Sequence, residues 1–174
     1  METIKIILKN NKFMRYLASV GISSIANNIL TLTVYWYVLY ETNSIAVLAL
    51  TGFVQSIPIL FTFAISFLVR NIGAKKLMFI GDAARALMAI LFIVNIFSFE
   101  SIAVVIMINV VNETAELIHT SATTSIIPTL VNGDEITESV GISNATISVF
   151  ELIGTVIGGF FYDAFGAKFL AILI

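Results

Sequence analysis

The sequence predicts an all-α integral membrane protein, and three observations carry that prediction. Of its 174 residues, 59% are hydrophobic and only 11% are charged, against about 25% charged in an ordinary soluble domain. Apolar stretches at 16–40, 45–69, 77–97, 102–121 and 140–161 each reach the roughly 20 residues that a helix needs to cross a bilayer. The ten-residue apolar/polar alternation of barrel strands is absent from all of them. The mean hydropathy, +1.02, agrees.

The first element, 1–15, holds Lys5, Lys9, Lys12 and Arg15 among apolar residues. It lacks the apolar core and small-residue cleavage site of a secretory signal and reads as a cytoplasmic amphipathic lead-in. Residues 16–40 form the first span, with Tyr35, Trp36, Tyr37 and Tyr40 crowded at its far end, where an aromatic belt meets the interface. Glu41 to Ser44 make a short joint to span two, 45–69, in which Pro58 predicts a local bend. Arg70, Lys75 and Lys76 mark the return joint before span three, 77–97. Span four, 102–121, leads to an acidic joint with Asp134, Glu135 and Glu138, followed by span five, 140–161. A sixth apolar segment starts near 169 and is incomplete at Ile174. The expected domains are therefore the lead-in, 1–15, and a transmembrane half-bundle, 16–174.

With the N-terminus in the cytoplasm, the inner joints hold Lys5, Lys9, Lys12, Arg15, Arg70, Lys75 and Lys76, and the outer joints only Lys168. This asymmetry predicts a multi-pass protein of the cell membrane with a cytoplasmic N-terminus. Absence of cysteine excludes disulfides and thiolate metal sites. A single histidine, His119, excludes a histidine-rich metal cluster, and a net charge of −2 gives no case for nucleic acid. No nucleophile–histidine–acid set or phosphate-binding glycine loop is present, so neither an enzyme nor a cofactor is expected.

A helix turns about 100° per residue, which fixes where the polar side chains point. Ser24, Asn27, Asn28, Thr31 and Tyr35 share one arc of span one; Thr51, Gln55, Thr62 and Ser66 share one of span two. Asn109, Asn112, Glu113, Glu116 and His119 share a face of span four, and Asn144, Ser148, Glu151 and Thr155 a face of span five. Span three has only Asp82 and Arg85 as ionisable residues, reads as a pair closing the cytoplasmic end, and is expected to face lipid. Ser, Thr and Asn stripes serve either as helix–helix glue or as cavity lining. A carboxylate at mid-membrane costs at least about 2.5–3.5 kcal/mol, so Glu113, Glu116 and Glu151 need a partner, a proton or water. They are candidates for a substrate and proton cavity with Asn27, Asn28, Gln55, Asn109 and Asn112. His119 is either a relay partner of Glu116 or a donor to a nearby carbonyl. Gly154 and Gly158, followed by Gly159, predict close helix packing.

Several segments, in order, resemble the N-terminal half of a major facilitator superfamily transporter, in particular the macrolide-efflux and enterobactin-exporter-like branch. These are SSIANN (23–28) with Tyr35–Trp36 in the first span, and SFLVRNIGAKKLMFIGDAARAL (66–87) at the place of the family's signature loop. They continue with SIIPTLVNGDEITESVGISNA (125–145) and GTVIGG (154–159), similar to the exporter motif. The signature loop keeps Gly73, Lys75, Lys76, Asp82 and Arg85 as gating or structural residues, but Arg70 replaces its acid. Thr155 replaces the proline of the exporter motif, and Asn27 stands where the branch often has an acid. The resemblance implies a six-helix bundle with its sixth helix incomplete, and a substrate site between two such halves. It also implies proton-coupled efflux of small amphipathic compounds by alternating access. The expected partners are lipid, that substrate, protons, and a second six-helix half, either the rest of the chain or another copy. Alternatives are a non-transporting membrane protein (an immunity or regulatory factor, or a remnant) and a half-size transporter acting as a homodimer.

Overall fold

In the computed structural model, which describes residues 2–173 and the side chains of residues 4 and 6–166, every regular element is helical. The side chains of Lys5, Lys168 and the sixth apolar segment lie outside the described residues.

A short helix α1 (Glu2–Lys9) precedes α2 (Asn11–Thr42). Asn10 separates them: its side chain accepts from the backbone N–H groups of Lys12 and Phe13. It also donates to the carbonyl of Leu130, 2.7 Å away. One asparagine thus caps a helix and ties its start to the far side of the bundle. Residues 11–15, expected in the lead-in, belong to the first long helix.

The second span is interrupted. It runs as α3 (Ile45–Gln55), a 3-10 turn (Ile57–Phe61) and α4 (Thr62–Ile72), as a proline without an N–H requires of the carbonyl a turn earlier. Gly73, at φ 93, makes the sharp turn into α5 (Ala74–Ser98), a conformation that a side chain would strain. After a tight joint, α6 (Ile102–Ile126) returns antiparallel to α5. A capping box between Asn132 and Glu135 starts α7 (Ile136–Leu173). The short joint implied between the fifth span and the sixth apolar segment is replaced by a single break in α7 at Gly166, φ 78.

Among the described residues, five segments are long and apolar enough to cross a membrane. Two long seams organise them. Helices α2 and α7 run parallel: Gly21 meets Phe150, Gly154 meets Ile25 and Asn28, Gly158 meets Ile29 and Leu32, and Trp36 stacks on Tyr162. Helices α5 and α6 form the other seam. One face of α5 (Leu77, Gly81, Arg85, Met88, Phe92, Ile96) is buried, and the opposite face is open. Span three is therefore not turned wholly to lipid: Arg85 packs inward, while Asp82 a turn earlier stays half-exposed.

Apolar clusters close both ends. Leu30, Val34, Tyr37, Val38, Met88, Phe92, Ile96, Val105 and Ile108 fill one. Ile7, Phe13, Tyr16, Leu17, Val20 and Ile127 fill the other, beside Ile65, Val69, Leu77 and Ala122. Between them lies a polar layer.

Candidate functional site

The layer follows from the sequence of each helix. On α2, Ser23 and Asn27 lie between Val20 of one cluster and Leu30 of the other. On α5, Asp82 and Arg85 lie between Leu77 and Met88, and on α6 Asn112, Glu113, Glu116 and His119 lie between Ile108 and Ala122.

Arg85 is the hub. It is 8% exposed, and one guanidinium nitrogen lies 2.9 Å from Glu116 Oε2 and 3.6 Å from Asp82 Oδ1. The guanidinium also donates to the Ser23 hydroxyl and to the Ser23 carbonyl, each at 3.0 Å. His119 Nε2 lies 3.4 Å from Asp82 Oδ1, and Thr120 donates to Glu116 Oε1 at 2.9 Å. The helices approach closely enough for these contacts because Gly81 faces Ala115 and His119: a Cβ there would stand 3.1 Å from the Ala115 carbonyl oxygen. Asp82 and Arg85 thus do not simply close one end as a pair, since Arg85 reaches across to Glu116. His119 turns to Asp82 rather than to Glu116.

A second set of contacts joins α2, α3 and α6. Tyr35 donates to Gln55, and Asn109 donates to the same amide oxygen at 3.3 Å. Thr31 donates to Glu113 at 3.4 Å, and Asn112 to Asn27 at 3.0 Å. Of the predicted cavity residues, Asn27, Gln55, Asn109, Asn112, Glu113, Glu116 and His119 therefore meet in one layer. Asn28 points elsewhere, accepting from Thr155 at 2.9 Å across the α2–α7 seam. Glu151 is exposed on α7, within electrostatic reach of Glu116.

The layer opens on two clefts. One of about 180 Å³ is lined by Ser23, Asn27, Asp82, Arg85 and Asn112. The other, of about 370 Å³, is lined by Tyr35, Gln55, Glu113, Glu116 and Thr120, together with the Ser56–Pro58 interruption of span two. Arg85 and Glu116, bonded to each other, line one cleft each.

The predicted gating residues divide. Gly154 and Gly158 are buried in the α2–α7 seam, whereas no atom would meet a Cβ on Gly159. Arg70, Lys75 and Lys76 are exposed. Arg70 lies over the Phe67 ring, and none of the three makes an ion pair among the described residues. No grouping of metal-ligating side chains occurs among the described residues. Ser23, Gly81 and Thr120 are the participants that sequence reasoning passed over. A signal for them existed: the one arginine within a span needs an acid and further acceptors at its own depth.

No family model, curated protein or solved structure matches this chain.

Proposed function

We propose that this chain is the N-terminal bundle of a proton-driven exporter of small amphipathic compounds, built on the six-helix plan of the major facilitator superfamily. The observation that carries the reading is the wider cleft, which sets two carboxylates, an amide and a phenol at mid-bundle beside an interrupted helix. In lipid, irregular backbone is tolerated where it lines a cavity, and ionisable residues at that depth belong to substrate or ion pathways. Glu113 is bonded to neutral Thr31 and Gln55 and has no basic partner within ion-pair distance among the described residues. It is free to take up a proton or the cationic end of a substrate. A second six-helix half would close the cleft, and rocking of the two halves would expose it to each side of the membrane in turn.

The test is dye efflux from cells expressing the chain, energised by a pH gradient. Glu113→Gln and Glu116→Gln are each expected to abolish gradient-driven efflux while leaving membrane insertion intact. Undiminished efflux in the double variant overturns the reading.

A further inference from the structure

We propose that Asp82, Arg85, Glu116 and His119 form a single proton-binding site, in which one exchangeable proton resides on the His119 imidazole against Asp82. The cluster holds two carboxylates and one guanidinium, so it carries one uncompensated negative charge while His119 is neutral. Excess charge in a membrane interior is costly. The group able to cancel it is the imidazole 3.4 Å from Asp82, the side chain that ordinarily changes charge between pH 5 and 8. His119 is 5% exposed, whereas the Asp82 side chain is 52% exposed and lines the smaller cleft. Asp82 therefore gives the buried imidazole its route to water.

The site also has a mechanical reading. With His119 neutral, Arg85 must serve both carboxylates. With His119 protonated, Asp82 is satisfied by the imidazolium and Arg85 is released to Glu116. Arg85 stands 2.9 Å from Glu116 and 3.6 Å from Asp82, near enough to serve either. Because Arg85 also holds the hydroxyl and carbonyl of Ser23, the proton on α6 biases how firmly α5 grips α2.

Titratable and charged groups surround His119 from several helices. From α5 come Asp82 and Arg85, and Gly81 against its Cβ. Its own helix supplies Glu116 and, further along, Glu113. Helix α2 brings Tyr16, whose hydroxyl reaches the carbonyl of Thr123, and α7 brings Glu151 within reach of Glu116. Helix α4 contributes apolar Ile65 and Val69.

The site itself stands on this geometry; its use as the coupling site rests on the transport reading above. The chain has one histidine, so an imidazole-labelled sample of the full chain in phospholipid nanodiscs gives one ring to follow by NMR. The wild-type ring is expected to gain a proton between pH 5 and 8. Asp82→Asn should weaken its proton affinity about tenfold or more, as expected when a carboxylate at this distance is removed. Asp82→Glu should recover most of that affinity, showing that charge and not misfolding is responsible; Glu41→Gln, an exposed residue at the opposite end of α2 from Ser23, should change nothing. A ring that ignores both Asp82 substitutions, or that stays neutral from pH 4 to 9, overturns the proposal. The expected titration without any dye efflux removes the transport reading and leaves the proton site standing. Gradient-driven efflux with a ring insensitive to Asp82 removes the proton site and leaves the transport reading.

Discussion

The α2–α7 and α5–α6 seams solve one problem in two ways. Lipid is as apolar as leucine, so burial alone does not hold two helices together in a membrane; close contact and interhelical hydrogen bonds must. The α2–α7 seam uses contact: Gly154 and Gly158 bring the backbones together, and the Asn28–Thr155 bond is the polar addition. The α5–α6 seam uses the same device once, at Gly81, and then spends the proximity on charge. A seam needed only for cohesion has no use for a buried arginine. The difference separates a seam built on contact from one built on charge within one bundle.

The sharpest way to break the contrast is Arg85→Ala. It strands Glu116 without its cation, and removing one partner of a buried pair costs about 3–5 kcal/mol. Partial exposure of Glu116 and Asp82 places the effect at the low end, about 3 kcal/mol in a reversible unfolding titration in mixed micelles. Next is Gly154→Ala, whose Cβ would stand 2.9 Å from the Ile25 carbonyl oxygen. Backbone cannot give way as a flexible side chain can, so about 2 kcal/mol is expected in the same titration. Asn112→Ala removes one interhelical hydrogen bond and should cost about 0.6 kcal/mol, the usual worth of such bonds in membranes. Gly159→Ala meets open space and should stay within about 0.5 kcal/mol of the parent. If Gly159→Ala proved as damaging as Gly154→Ala, the seam would not run where the glycine contacts put it.

Much of this was legible in the sequence because lipid asks simple questions. Span positions follow from apolar length, a bend in span two from Pro58, and a close-packed face on span five from Gly154 and Gly158, whose partner α2 only the fold reveals. The pairing of Arg85 was misread for a physical reason: its i, i+3 spacing from Asp82 is visible in the sequence, whereas its contact with Glu116 exists only once α5 and α6 are folded together. The same holds for His119, whose face was predicted but whose partner stands on another helix. Gly159 was grouped with its neighbours by adjacency, but a helix turns about 100° between successive residues and carries it off the contact face. The joint expected near 163–168 was read from polar residues, yet a helix runs through most of them and breaks at Gly166.

The parallel α2–α7 seam also imposes an order on biosynthesis. Thr155 and Asn28, partners across it, are 127 residues apart. At translation rates of about 5–20 residues per second, the first long helix waits on the order of ten seconds for its main partner. Throughout that interval the face of α2 destined for the glycines of α7 lies open to lipid, insertase or another nascent helix. The bundle is therefore closed by its last described helix, and the glycine-facing side of α2 is covered only once that helix has been made.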